Sequence, residues 1–568
     1  MQTMKKMKII ILVSTFLVIG FACSKLDDKL IDPNLPSPET ADVDLYLNYV
    51  QLAFADIYGN TGQVDALPGL NENGLEMMRM ELMASRTYLD VYSPTTVDNT
   101  WRNAYQNVFK NVNALIPIAE NSSRFLHIGM AQTIKAFTAS IMVDFYGDIP
   151  YSEANEGVEN TNPIPDPGKV VYDSVFNLLD TAIANFNKVT SLTPLPTNDL
   201  YYENSTSALA KATSWRRAAK SLKLKLLNQV RLVDNTAKEK IDALLADGEL
   251  INTDAQAFVF RYSTKSLNPD SRHPKYSQYY TNNGGTDYVA NYFMWAVYEE
   301  KGVDLDPRWR YYFYRQIGNT TTLPVTTLEC ANSPVPSHYP PGTPFCVANF
   351  AGFYGRDHGN DRGIPPDGFQ RTLFGLYPVG GKFDNDQKVQ ITGATDGAGG
   401  QGYSPILQSS FVEFIKAEAA LMLGTAGNPR ALLESGVRKS IATVVGFPAT
   451  IGVTIPANRV PTPAAITNYV NKVLQLYDAA TNDQDRLNVI MKEYYLALWG
   501  NGIEAYNNYR RTAMPRNLQP NLNPSPGPFL RSLIYPAVFA QRNNNVVQKS
   551  TTNVKVFWDN NPDNAFVN

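Results

Sequence analysis

Val143-Asp144-Phe145-Tyr146-Gly147-Asp148-Ile149-Pro150-Tyr151-Ser152-Glu153-Ala154 reads as the end of a helix followed by a sharp turn. Before it, Met130, Ile134, Phe137, Ile141 and Phe145 recur at helical spacing and predict a helix. Gly147 and Pro150 force a sharp exit from that helix, and Asp148 can cap the turn. On either side the period stays helical. Tyr46, Tyr49, Val50, Ala53, Phe54 and Ile57 form one stripe. Trp101, Tyr105, Val108, Val112, Leu115 and Ala119 form a second, with Asp98 as its N-cap. Val171, Val175, Leu178, Ala182 and Phe186 make another helix, and Trp215, Ala218, Leu222, Leu226 and Val230 one more. This last carries Arg216, Arg217, Lys220, Lys223 and Lys225 off its apolar stripe. Such a face suits anionic lipid or a polyanion, but nothing elsewhere reinforces it, so a solvated face is the expectation.

From about residue 260 to 405 Gly, Pro, Asn and Tyr dominate, and only Tyr288–Glu300 and Arg308–Arg315 read as helices. Short helices and hairpins are expected there, because a continuous loop of that length is improbable in a compact domain. Helical period returns at Phe411–Leu423, Ile466–Tyr477 and Arg486–Arg511. No 34-residue repeat is visible. The resulting class is mostly α: helical blocks at 41–259 and 406–568 carrying a large irregular, loop-rich insertion at 260–405. Binding residues tend to sit in loops held by such a scaffold.

The 568 residues include 50 Lys+Arg and 53 Asp+Glu, a formal charge of −3, so no cationic excess exists to grip nucleic acid. Hydrophobic residues at 44% and charged ones at 18% exclude a disordered chain. Four His and three well-separated Cys argue against zinc or haem, and no metal or cofactor is expected. Tyrosine, with 32 copies, is the most numerous aromatic, which suits flat or amphipathic ligands, although most such rings are core.

Lys5, Lys6 and Lys8 precede an apolar run from Ile9 to Ala22, too short to span a bilayer but right for a signal-peptide core. The run ends at Ala22-Cys23, the arrangement of a lipoprotein cleavage site; the alternative is an ordinary signal peptide with an incidental Cys. On the lipoprotein reading, residues 1–22 are removed and Cys23 is lipidated. Residues 23–40 are then a tether whose Asp27-Asp28 resembles a surface-export signal, and the chain is anchored without a spanning helix. In an exported protein the remaining pair, Cys330 and Cys346, reads as a disulfide closing a proline-rich loop, with a buried free pair as the alternative.

No G-x-S-x-G, H-E-x-x-H, Walker loop or paired C-x-x-C occurs. Gly397-Ala398-Gly399-Gly400-Gln401-Gly402 fits G-x-G-x-x-G, but the chain beyond it reads as a helix rather than a βαβ unit, which favours a surface turn over a phosphate cradle. Asp357, Asn360 and Asp361 offer oxygen ligands for Ca²⁺ without EF-hand spacing, and Arg356 and Arg362 satisfy them equally well. Paired carboxylates for glycoside hydrolysis are neither excluded nor supported by sequence.

The stretch Val143–Ala154 resembles the helix-to-loop signature of the SusD/RagB family of nutrient-binding outer-membrane lipoproteins. Asp306-Pro307-Arg308, Gly355–Gly368, Trp499–Thr512 and Arg531–Asn545 around Tyr535-Pro536 resemble further family elements, in order. Val538 and Phe539 depart from the Ser-Glu that often follows Tyr-Pro. The resemblance implies TPR-like helix pairs, no catalysis, and service as the hinged lid of a SusC-like TonB-dependent outer-membrane barrel. A glycan, or in some members a peptide, would be captured and passed on. Ligand residues do not transfer from these signatures. On physical grounds the ligand face is placed at Tyr276, Tyr279, Tyr280, Asn283, Asp287, Tyr288, Tyr292 and Trp295, with Asn282 beside them, since rings dock sugar C–H faces while amides and carboxylates bond hydroxyls. The competing reading puts Tyr292 and Trp295 against the core. A surface hydrolase and an adhesin are the rival functions.

Overall fold

The computed structural model describes residues 42–59, 69–318, 330, 333–346, 351–363 and 366–568. Cys23, its leader and tether, and Ile364-Pro365 of the Gly355–Gly368 segment lie outside the described residues. The fold is mostly helical, with TPR-like helix pairs. Helices α1 (Val43–Gly59), α2 (Leu70–Met77), α3 (Lys110–Asn121) and α4 (Phe125–Tyr146) open the chain. α5 (Gly168–Asn187), α6 (Ala208–Gln229) and α7 (Ala237–Asp247) come next. Helix α4 is the hub: it is buried on nearly all sides, packing on α1, α3, α5 and α6. An all-round apolar surface is what a fully enclosed helix requires. It ends as expected, with Gly147 at φ +79° and its N–H bonded to the Val143 carbonyl. Asp148 caps the next helix instead of this one, accepting the Gly168 N–H of α5 at 2.8 Å.

The helix entering α3 differs from expectation. It begins at Asp98, with Val97 rather than Asp98 at the N-cap, and a π-helical segment spans Asn103–Phe109. Asp98 accepts the Val538 N–H at 3.0 Å, so the carboxylate serves the carboxy-terminal segment instead of its own helix. Basic residues of α6 are engaged: Arg216 and Lys220 with Glu249, Lys223 with Asp180, and Lys225, itself buried, with Glu504.

Between α7 and the later helices regular structure is sparse. Strand β1 (Phe258–Arg261) pairs antiparallel with β4 (Tyr403–Leu407), and β2 (Phe313–Tyr314) with β3 (Leu373–Phe374). Two short helices, α8 (Pro274–Tyr279) and α9 (Asn291–Tyr298), lie between β1 and β2. The expected helix 308–315 is one turn, Trp309–Tyr312, that runs directly into β2. Gly397, Gly399 and Gly400 all take positive φ in a turn packed on Gly380–Gly381, and β4 joins an antiparallel pair; a dinucleotide fold is excluded.

The second helical block comprises α10 (Ser409–Leu423), α11 (Pro429–Thr450), α12 (Pro463–Ala479), α13 (Asp483–Ala497) and α14 (Gly502–Thr512). The expected helix 486–511 is thus two helices, broken where Gly500 adopts φ +92° and Asn501 caps α14 by accepting the Glu504 N–H. Gly502 packs backbone to backbone on Gly74 of α2, leaving no room for a side chain on either. Among the described residues, no helix is long and apolar enough to cross a membrane.

Candidate functional site

The eight residues expected to face a ligand do not form one open platform. Tyr276 stacks on Tyr280 at 4.5 Å and donates its hydroxyl to the Asp396 carbonyl. Tyr280 donates to the Phe374 carbonyl, and Tyr279 to Glu81. The Tyr288 ring is sandwiched between the Arg356 and Arg371 guanidiniums, 4.4 and 3.8 Å from its centroid, with its hydroxyl on Asp367. All four, and Tyr292, are at most 1% exposed. Each is a large apolar surface whose single polar atom finds a partner inside, so burial gains area at no hydrogen-bonding cost. Asn283 is exposed, and Asp287 is half-buried, accepting the Tyr288 N–H. Trp295 alone among the rings is half-buried.

Trp295 and Tyr292 lie 5.9 Å apart on α9 and share a neighbour, the ammonium of Lys492, 5.7 and 4.9 Å from their centroids. Lys492 borders a cleft of about 420 Å³ between the α9 exit and helices α12 and α13. Its wall is Leu476, Ala479, Ala480 and Val489, and its polar edge is Glu300, Asp485, Asn488 and Lys492. Lys492 and Glu300 of that edge belong to one bonded network, while Asn488 and Asp485 hold Arg516. Lys492 donates to the Tyr292 hydroxyl at 2.9 Å and pairs with Glu300 at 3.0 Å, while Asn517 donates to Glu300 at 2.6 Å. Behind it, Lys301 pairs with Glu493, which also accepts from Tyr469 and faces Arg308. Arg308 is clamped to Asp306, so the Asp306-Pro307-Arg308 segment forms the back of this network.

Burial, with the Lys301 charge adding to it, pushes Lys492 down to about 8 although Glu300 opposes the shift. Burial would raise Glu300, but Lys492 and Lys301 outweigh it and hold the carboxyl below its ordinary range. The hydrogen bond from Arg516 holds Asp485 down likewise. Cations and anions balance around the cleft, so its chemistry suits a neutral ligand with one flat or apolar face. Sequence reading missed Lys492, Glu300 and Asn517. The signal for Lys492 was present: it is a lone cation among Leu487, Ile490, Met491, Tyr494 and Tyr495, all buried on α13.

The oxygen-rich turn is satisfied by protein groups. Asp357 accepts from Asn291 and Gln519, and Asp361 pairs with Arg86. Among the described residues no cluster of three or more His, Cys, Asp or Glu is arranged to hold a metal. A disulfide joins Cys330 to Cys346, their Cα atoms 5.4 Å apart.

The fold is a helical scaffold of TPR-like pairs with surface clefts and a densely bonded interior. Sequence comparison specifies the family. Residues 47–323 match the SusD-like group described as "Starch-binding associating with outer membrane", and residues 391–561 match "Susd and RagB outer membrane lipoprotein". The chain belongs to the SusD/RagB family. No curated protein matches it by sequence. Among solved structures, a SusD homolog from Bacteroides fragilis superposes with a TM-score of 0.63 at 16% identity, over 91% of this chain and 99% of that one. A SusD/RagB family protein from Bacteroides thetaiotaomicron gives 0.63 at 17% identity, over 92% and 100%. A chitin-binding SusD homolog from Flavobacterium johnsoniae gives 0.61 at 18% identity, over 91% and 100%.

Proposed function

We propose that this chain is a non-enzymatic outer-membrane lipoprotein, anchored through Cys23, that captures an oligosaccharide and delivers it to a SusC-like TonB-dependent barrel as its lid. The observation that carries the reading is the charge-balanced cleft bordered by Lys492, whose ammonium lies 5.7 Å from the half-buried Trp295 ring, in a family whose matching description is starch-binding and whose structural neighbours include a chitin-binding homolog. An indole beside fixed amide and carboxylate groups is suited to a sugar ring. A glycosidase would need one carboxyl kept protonated near neutral pH. At this cleft Glu300 and Asp485 are both held below their ordinary range, which supports binding over turnover. A peptide ligand is the second reading, favoured by the aliphatic wall of Leu476, Ala479, Ala480 and Val489.

Calorimetric titration with maltohexaose, chitohexaose and a leucine-rich hexapeptide tests this. One of the sugars should bind without product appearing, and Trp295→Ala should weaken it by about tenfold, the effect of roughly 1.4 kcal/mol of lost ring contact. Release of shortened sugar over hours would establish the hydrolase instead. Binding of the peptide alone would change the ligand class.

A further inference from the structure

A second cleft, with no lining residue in common with the first, lies between the β1–β4 strand pair and helix α11. Its volume of about 150 Å³ is well below that of a cavity for a drug-sized ligand, so it has room for one small ring rather than a chain. Its lining unites groups far apart in sequence, chiefly Asp254, Arg261, Tyr403, Gln408, Gly446 and Phe447.

We propose that this cleft is a saccharide subsite taking a single neutral hexose unit. Asp254 supplies the first argument. Its Oδ1 accepts hydroxyl donors from both Ser409, at 2.9 Å, and Thr443, at 2.8 Å, which fixes the carboxylate plane. Oδ2 has no hydrogen-bond partner among the described residues and is left to accept from a ligand hydroxyl. Arg261 ends β1 as its one exposed residue and forms no ion pair among the described residues. A free acceptor and a free planar donor thus border the same small space, the pairing that vicinal hydroxyls satisfy. Their opposite charges cancel, which favours a neutral polyol over an anion.

The ring supplies the second argument. Tyr403 is half-buried and held edge-on against Phe447 at 5.1 Å and Tyr377 at 5.7 Å. Buried Gln408 locks its position, donating to the Tyr403 hydroxyl at 3.0 Å while accepting from Tyr377 at 3.3 Å. The aromatic group is therefore already in place before any ligand arrives, which spares the ring an ordering cost on binding. Gly446 supplies the third. Although it lies within α11, no atom beyond its chain neighbours and its own helix backbone stands within 4 Å of where its Cβ would be, so the helix presents a bare patch to the cleft.

That bare patch also provides the test. Gly446→Leu would plug the cleft without meeting backbone, and in a helix it replaces the weakest common former except proline with a strong one. The inference rests on the glycan-binding reading but concerns separate residues, so four full-length lipoproteins in detergent are compared: wild type, Trp295→Ala, Gly446→Leu and the double variant. Each is titrated with maltohexaose and chitohexaose, with saturation-transfer NMR reporting the contacted sugar protons and thermal melts confirming the fold. The expected result is residual binding in Trp295→Ala that weakens at least about tenfold when Gly446→Leu is added, an effect reproduced by Asp254→Asn. If the plug changes nothing, or if Trp295→Ala alone removes all binding, the second subsite is refuted while the glycan reading stands. If neither sugar binds the wild type, both fall. Loss of binding on the plug with no effect from Trp295→Ala would keep this subsite and remove the Trp295 cleft.

Discussion

Asp144 shows how the family signature acts through single atoms. Its carboxylate accepts from Tyr172 at 2.6 Å, from Trp558 at 2.8 Å and from Asn507 at 2.7 Å, tying α4 to α5, α14 and the carboxy-terminal segment. Burial lifts its carboxyl above the ordinary range, although Lys225, Arg510 and the donors pull it down. Asp144→Ala should strand three buried donors and cost on the order of 3 kcal/mol or more, read from urea unfolding; a loss within 1 kcal/mol would mean the knot is dispensable. Glu81 gives a pH signature. Burial, with Asp287 and Glu72 adding to it, pushes this acid up to about 8 against the pull of Lys275. The unfolded chain releases that proton near pH 4.3, so the stabilisation is full below that and is lost as pH rises toward 8. In Glu81→Gln the fall in stability between pH 5 and 8 should flatten by up to about 1.4 kcal/mol per pH unit, and equal slopes in the two proteins would refute the assignment. The sequence reveals how many tyrosines there are but not where their hydroxyls find partners. The partners of Tyr276, Tyr279, Tyr280 and Tyr288 are the carbonyls of Asp396 and Phe374 and the side chains of Glu81 and Asp367, all remote in the chain. That is why a platform read from ring density turned out to be core.

The exit of α4 is legible in the sequence because one residue's backbone sets it. Gly147 combines φ +79° with ψ −117°, a conformation outside the left-handed helical region that Asn or Asp tolerates. Only Lys549 Nζ, at 3.9 Å, approaches its missing Cβ, so Gly147→Ala meets backbone strain without a clash. It should cost about 1–3 kcal/mol. Gly502→Ala is a different case, since its Cβ would fall 2.2 Å from the Leu75 nitrogen and force α2 and α14 apart. It should destabilise more than Gly147→Ala and open the Leu70–Met77 region to protease; thermal melts and limited proteolysis on both variants check the order. Apolar stripes located α1, α5, α6, α10 and α12 through the faces they bury, and α4 through the apolar spacing of a helix enclosed on nearly all sides. Helix α11 escaped although Leu433, Val437, Ile441, Val444 and Phe447 keep the period, since Gly436, Gly446 and Pro448 interrupt its composition. Gly436 is small for a packing reason, with Phe414 of α10 at 3.0 Å from its missing Cβ. The run over α13 and α14 keeps an apolar period that hides its break, although Gly500-Asn501-Gly502 is a local stop-and-cap pattern; Pro378 Cγ, 2.8 Å from the missing Cβ of Gly500, leaves no room for a side chain there.

Across the whole molecule, the chain is cross-braced between its beginning and end. Arg511 and Arg231 converge on Glu418, Lys225 reaches Glu504, and Tyr495 donates to the Met78 carbonyl. Such bracing suits the rigid body that the proposed lid role requires. The partner test must respect its terminus. The Asn568 carbonyl accepts from the Asn521 N–H at 2.8 Å and its side chain from the Phe529 N–H at 2.9 Å, so a carboxy-terminal tag would pull on the fold. The loop at Leu192, which is 90% exposed, is the better insertion point. A tag placed there should recover a large TonB-dependent barrel from native membranes in mild detergent, identified by mass spectrometry. On the proposed lipid anchoring, Cys23→Ser should shift the protein out of the membrane fraction and abolish that recovery. Recovery of the lipidated protein alone would remove the lid mechanism. Retention of the Cys23→Ser protein in the membrane fraction would remove the anchor.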